Sequence, residues 1–238
     1  MRLPVSLALF VLVLCGCGDA PPTIDGYTYK TVKIGDQEWF AENLKTTVYA
    51  NGDDIPYSRT DKSWETQKMG MRASYDHDEE MNAKYGQLYN WYAVKDERGL
   101  CPNGWHVPSD EEWQDLEVLL GMSRADVSIW GNRGSGELDI GYKLKAKSGW
   151  SGAKWKFASP TTPPGDNGTD EFGFSALPGG FRDGKYWFAG HFEGYWWSSS
   201  PVREAAVYRR FYNRNPSILR QTMDQTIGMS VRCLRDSE

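Results

Sequence analysis

The pattern of apolar and polar positions divides the chain into an apolar leader, a mixed first half and a strand-rich second half. Leu3 to Leu14 is an apolar run interrupted only by Pro4 and Ser6. It has signal-peptide length and is too short to cross a bilayer as a helix. Ile24 to Leu44 reads as a hairpin: Tyr27, Tyr29, Val32 and Ile34 favour strands, Gly35-Asp36 turns, and Gln37 to Phe40 returns. Asn51 to Glu80 has no clear period and reads as a long polar loop with room for a short strand. In Tyr85 to Val94, Leu88, Trp91 and Tyr92 recur at three and four, which predicts a helix. Trp105 to Val107 reads as a short strand. Ser109 then caps a helix, Glu112 completes a capping box, Trp113, Leu116 and Leu120 share one face, and Gly121 stops it. A second main helix is expected over Ile140 to Lys147, and Ser159 to Glu171 reads as a Pro/Gly/Asp loop. Strands are expected over Phe172 to Leu177, Tyr186 to Phe188, Tyr195 to Ser199, Ala205 to Tyr212 and Gly228 to Leu234, with a hairpin around Arg182-Asp183-Gly184-Lys185. The expected class is α+β, one loop-rich domain with two main helices early and a β-rich C-terminal half.

The end of the leader changes the picture. Leu14-Cys15-Gly16-Cys17 resembles the lipobox of bacterial lipoproteins, with Leu at −3, Gly at −1 and Cys17 as the acylated residue. The competing reading is an ordinary secretory signal with incidental cysteines. The expected organisation is a leader over 1–16, a lipidated Cys17 with its tether over 17–25, and one domain over 26–238. The expected partner is therefore a membrane, held through lipid. Gly18 rather than Asp after the acceptor resembles the sorting signal for the outer membrane.

Composition excludes some partners. The chain carries 27 basic and 32 acidic residues, and loss of Arg2 with the leader makes it one unit more negative. With no Lys/Arg run, nucleic acid is not an expected partner. Beyond the leader and Cys17 only Cys101 and Cys233 remain, and in an exported chain two cysteines read as one disulfide. The alternative is a reactive or metal-binding pair, but His77, His106 and His191 all lie away from ligand spacing to a cysteine.

Candidate chemistry is sparse. Asp76-His77-Asp78-Glu79-Glu80 offers metal ligands or an acid–base cluster, against a plain solvated loop. Asp166, Asn167, Asp170 and Glu171 offer oxygen ligands that suit calcium, without EF-hand spacing; the competing reading is an Asx turn that closes the loop. Ser198-Ser199-Ser200 lacks a Gly-x-Ser-x-Gly frame, and no Gly-rich phosphate loop occurs. His106, beside Trp105, reads as a structural, partly buried histidine. The feature most open to a binding role is the aromatic cluster Tyr186-Trp187-Phe188 and Tyr195-Trp196-Trp197, with Arg182 and Asp183 on the adjoining hairpin. Neighbours in a strand face opposite sides, so one of Trp196 and Trp197 is expected in the core and one outside. The competing reading places both in the core.

Several segments, taken in order, resemble the Fibrobacter succinogenes major paralogous domain. They include Trp39-Phe40-Ala41-Glu42-Asn43-Leu44, Tyr85-Gly86-Gln87-Leu88-Tyr89-Asn90-Trp91, Cys101-Pro102-Asn103-Gly104-Trp105-His106-Val107-Pro108-Ser109, Gly173-Phe174-Ser175-Ala176-Leu177-Pro178-Gly179-Gly180, Tyr195-Trp196-Trp197-Ser198-Ser199-Ser200 and Ser230-Val231-Arg232-Cys233-Leu234-Arg235-Asp236. The resemblance runs from Tyr27 to Asp236. It implies a fold similar to the sulfatase-modifying-factor and C-type-lectin group, with a disulfide to the last strand. The sugar-binding calcium motifs of C-type lectins do not occur, nor does the close cysteine pair of formylglycine-generating enzymes. The expected function is therefore a non-catalytic envelope module that binds a glycan or a protein. An enzyme of the sulfatase-modifying type and a structural surface or appendage component are the alternatives.

Overall fold

The computed structural model describes residues 20–58, 64–65, 68–150 and 167–237. Cys17, the leader and Asp166 lie outside the described residues. So does most of the Ser159 to Glu171 loop.

The chain opens with two tandem hairpins, β1 (Thr23–Ile24) with β2 (Tyr27–Thr28) and β3 (Thr31–Ile34) with β4 (Gln37–Phe40). The expected single hairpin is thus split, because Gly26 as well as Gly35 takes a positive φ and turns the chain. Pro22 and Ile24 are already buried, so the domain starts inside the segment read as tether.

The polar stretch before Tyr85 is not one loop. It holds β5 (Arg72–Ala73), a 3-10 turn at Tyr75–His77 and helix α1 (Glu79–Tyr85), capped by the Asp78 carboxylate. The helix expected over Tyr85 to Val94 is broken at Gly86, whose φ is +79°; a side chain there would meet the Leu44 carbonyl at 2.7 Å. Strand β6 (Leu88–Tyr89) and the short helix α2 (Trp91–Val94) follow. After β7 (Trp105–His106) comes α3 (Asp110–Leu119), with the Ser109/Glu112 capping box in place and Trp113 and Leu116 buried. A one-turn helix α4 (Arg124–Val127), strand β8 (Gly131–Arg133) and α5 (Ile140–Leu144) complete the first half.

The second half is strand-rich: β9 (Phe181–Asp183), β10 (Tyr186–Phe188), β11 (Glu193–Val202), β12 (Ala205–Tyr212), β13 (Ile218–Asp224) and β14 (Leu234–Arg235). Residues 172–177 are not a strand. They are tied to the end of α5 instead, with Ala176 bonded to Leu144 and Ala146. The expected strand over Gly228 to Leu234 shrinks to β14, with isolated bridges at Gly228, Met229 and Ser230.

Two four-stranded sheets organise the molecule, in the orders β3-β4-β14-β7 and β11-β12-β13-β8. In the first, β14 lies between β4 and β7, so the last strand joins the second hairpin to the middle of the chain. The Cys101–Cys233 disulfide, with Cα atoms 5.9 Å apart, fastens that junction. Strand β11 carries the larger load: Tyr195 and Trp197 belong to one core cluster and Trp196 to the other. Beneath α3, buried Asp110 and Glu117 hold three arginines. Arg209 reaches both carboxylates at 2.7 Å, Arg220 reaches Asp110 at 2.6 Å, and Arg133 reaches Glu117 at 2.6 Å. Shared partners of this kind hold the charges where a lone buried charge would be costly. No helix among the described residues is long and apolar enough to cross a membrane.

Candidate functional site

The β9–β10 hairpin presents the most exposed aromatic surface of the predicted cluster. Its two-residue loop begins at Gly184, whose φ of +53° suits the first loop position of a tight hairpin turn. The register pairs Tyr186 with Asp183, Trp187 with Arg182 and Phe188 with Phe181. Strand alternation therefore puts Tyr186 and Phe188 on one face and Trp187 on the other. Tyr186 is 57% exposed and Phe188 40%. Behind them runs a row of rings: Phe188 stacks on Phe181 at 4.9 Å, Phe181 meets Tyr195 at 4.7 Å, and Tyr195 stacks on Tyr208 at 5.7 Å. The exposed pair is thus braced by half-buried Phe181 with buried Tyr195 and Tyr208 behind it. Asp183 is exposed beside Tyr186, and the Lys185 ammonium lies 5.2 Å from the Tyr186 ring.

The opposite face is denser. Trp187 is half-buried against Tyr75 at 5.5 Å and His77 at 5.2 Å. Arg182 is fully buried, with its guanidinium 4.3 Å from the Trp64 ring centre and 4.8 Å from that of Trp187. It donates to the Gly184 and Ser58 carbonyls at 2.8 and 3.1 Å. Four non-glycine residues near this face have positive φ: Asp76 (52°), His77 (55°), Ala189 (59°) and His191 (70°). Each left-handed residue costs about 1–2 kcal/mol, and strain of this sort gathers at functional sites. The Tyr75 ring lies between the two strained turns, and its hydroxyl accepts from the Gly190 amide at 3.2 Å. Only glycine fits at 190, since a side chain there would meet Tyr75 at 2.6 Å. His191 shares a 2.9 Å hydrogen bond with the Tyr85 hydroxyl, and burial holds its imidazole below the usual range.

Several expected site residues are placed elsewhere. Trp196 and Trp197 are both 0% exposed, which corrects the expectation that one faces out. They do point to opposite sides of β11, but both sides are covered. Their indole N–H groups donate to Asn43 at 2.9 Å and to the Tyr89 carbonyl at 3.0 Å. Tyr195 is buried with its hydroxyl bonded to Glu193. Arg182 supports the hairpin from within and does not face solvent. Phe188, part of the predicted cluster but not expected as an anchor, joins the exposed face through its i, i+2 relation to Tyr186.

In the loop read as oxygen-rich, the Asp170 carboxylate accepts the Ser175 amide at 2.7 Å and the Ser175 hydroxyl at 2.6 Å. Asn167 accepts the Trp150 amide at 3.0 Å. Asn167 and Glu171 line a cleft of about 420 Å³ with Glu137, Asp139 and Tyr142. Among the described residues no three His, Cys, Asp or Glu side chains are grouped to hold a metal ion. His77 is exposed within its acidic run, 3.3 Å from the Tyr57 hydroxyl. His106 lies between two carboxylates, Glu112 at 2.8 Å and Asp236 at 2.6 Å.

These features define an α+β domain, closed by one disulfide, whose exposed aromatic hairpin is backed by a row of packed rings that runs into the core. Residues 32–235 match the family model of the Fibrobacter succinogenes major domain, and the chain belongs to that family. No curated protein and no solved structure matches it.

Proposed function

We propose that this chain is a lipid-anchored, non-catalytic binding module of the cell envelope, and that its β9–β10 hairpin binds a glycan. The observation that carries the reading is the exposed pair Tyr186 and Phe188, braced by half-buried Phe181 and buried Tyr195. Sugar rings present apolar C–H faces to such platforms and hydroxyl edges to neighbouring polar groups, and rigid aromatics lose little entropy on binding. Asp183 and Lys185 are the polar groups at hand. The non-catalytic part is supported by the cysteines: Cys101 and Cys233 are joined to each other, so neither offers the free thiol that oxidative chemistry of the sulfatase-modifying type requires. Acylation at Cys17 rests on the lipobox pattern, and Gly18 supports outer-membrane sorting.

The test combines binding with melting. The soluble domain from Gly18 onward is screened on a glycan array, and hits are titrated. Tyr186→Ala and Phe188→Ala should each weaken binding by about 1–3 kcal/mol with the melting temperature nearly unchanged. Retained affinity in both variants would remove the hairpin from consideration. A domain that captures a protein and no glycan would redirect the reading to a protein ligand. Anchoring is tested separately: Cys17→Ala should abolish acyl labelling and leave soluble protein or an uncleaved precursor.

A further inference from the structure

The first described residues, read with the position of Cys17, indicate which side of the domain meets the bilayer. Pro22 and Ile24 are buried. The Tyr29 amide donates to the Pro22 carbonyl at 2.9 Å, and Thr23–Ile24 pairs with Tyr27–Thr28. The Asp25 carboxylate accepts the Thr47 amide at 2.8 Å and the Thr47 hydroxyl at 2.7 Å. From Pro22 onward the chain is therefore fixed to the body of the domain.

Cys17 and Pro22 are close in sequence. The intervening backbone spans at most about 18 Å when fully extended, at roughly 3.6 Å per residue. A folded domain of this size has a radius of gyration of about 17 Å, so its width is more than twice that leash. An anchor at Cys17 can bring only the side of the domain near Pro22 to the membrane. That side carries a groove of about 530 Å³, with Ala20 and Pro21 on one wall and Gly52, Asn103 and Gly104 on others. Pro21, Gly52, Asn103 and Gly104 are exposed. These rim residues are small or polar and uncharged, and the charged groups lining the same groove are Asp25 and Arg235; such a surface suits contact with headgroups and gives nothing to insert among acyl chains.

We propose that this pole, residues 20–25 with Gly52, Asn103 and Gly104, rests on the phospholipid headgroup layer in an orientation set by the short link to Cys17. The proposal depends on the reading that Cys17 is acylated. It goes further in naming the surface that the lipid presents to the bilayer. It also places the Cys101–Cys233 junction on the membrane side, because Pro102 and Trp105 line the same groove.

The experiment uses the full chain, produced with its leader in a bacterial host and reconstituted into phosphatidylethanolamine/phosphatidylglycerol vesicles. Single thiols introduced by Thr23→Cys, Asn103→Cys and Glu204→Cys carry a fluorophore, and a nitroxide on the lipid headgroup serves as quencher. All three positions are exposed. Strong quenching is expected at 23 and 103 and weak quenching at 204, and a long Gly/Ser insertion after Gly18 should abolish the difference. If the chain floats with the vesicles and its N-terminal peptide carries lipid, yet quenching at 23 and 103 does not exceed that at 204, the orientation is wrong while anchoring stands. A chain that neither floats nor carries lipid overturns the anchoring reading and this proposal with it.

Discussion

Asn43 serves four partners with one side chain. Its amide donates to the Tyr85 carbonyl at 2.8 Å and the Ser230 hydroxyl at 3.2 Å. Its oxygen accepts from the Trp196 indole at 2.9 Å and Arg232 at 3.1 Å. Arg232 is fully buried, and its other bonded partners are the carbonyls of Phe40, Phe174 and Ser175. Burial brings its pKa down to about 9, against the opposing pull of Asp170 and Glu42. Asn43→Ala would leave the Trp196 and Arg232 donors short of an acceptor inside the core. Leaving buried donors unsatisfied costs about 1–3 kcal/mol per group, so a loss of roughly 3 kcal/mol is expected, read from urea unfolding. A change within about 0.5 kcal/mol, the range of ordinary surface substitutions, would show that the network relaxes around the gap. At this scale the sequence was only partly legible. Alternation put Trp196 and Trp197 on opposite sides of their strand, but it carries no information on whether each side is covered. Arg182 looked like a ligand group because arginine is usually exposed, and nothing local revealed Trp64 packing against it from a distant segment.

Elements with their own punctuation were readable, and elements that depend on partners were not. The α3 cap was visible because Ser109 and Glu112 satisfy each other's amides, at 3.2 and 2.7 Å. Strand β12 was visible because Ala205 to Tyr212 is rich in strand formers. Strand β13 was missed, as Ile218 to Asp224 mixes Arg, Gln and Asp into a segment held by β12 on one side and β8 on the other. Glu112 also does a second job: with Asp236 it flanks His106, joining α3, β7 and the chain end after β14. The hydrogen bond to Glu112, with that to Asp236, raises the imidazole pKa, while burial opposes the shift. Glu112 falls to about 2, its bonds to His106 and the Ser109 amide outweighing burial. The signs define a window. A raised histidine contributes stability that is fully present below its unfolded value of 6.5 and is lost as pH rises through the higher folded value. A depressed carboxylate contributes stability present above 4.5 and lost as pH falls towards about 2. The clamp should therefore be intact between about pH 4.5 and 6.5 and weaken on either side. His106→Gln should flatten the alkaline limb of melting temperature against pH; an unchanged limb in that variant would assign the dependence to another group.

At the scale of the whole molecule, the chain is closed by its last strand. Leu234 pairs with Trp39 on one side and His106 on the other, so β14 completes a sheet whose other members come from the first half of the chain. Arg235 adds a 2.6 Å ion pair to Glu38, and the Phe40 amide donates to the Cys233 carbonyl at 2.9 Å. These contacts join residues far apart in sequence, and the entropy of bringing them together opposes each of them. The Cys101–Cys233 bond, spanning 132 residues, removes that entropy from the unfolded chain in advance. In the chain-entropy model a loop of this length is worth on the order of 5 kcal/mol as an upper value, with measured effects of about 2–4. Domains commonly have only about 5–15 kcal/mol in total, so the bond supplies a large share of the margin. Cys101→Ala with Cys233→Ala, or reduction of the native protein, should lower the melting temperature by roughly 10 °C, at about 2–4 °C per kcal/mol for a domain of this size. The loss should be local as well as global. Without the bond the chain end after Cys233 is held by a two-residue strand and its contacts to Glu38 and His106, against eight paired residues in β12, so amides at Leu234 to Asp236 should exchange with deuterium sooner than those of β12 once the bond is gone. Intact mass with and without reductant confirms the starting state. A reduced protein with the same melting temperature and the same exchange at β14 would mean that the sheet and its ion pairs hold the chain end unaided.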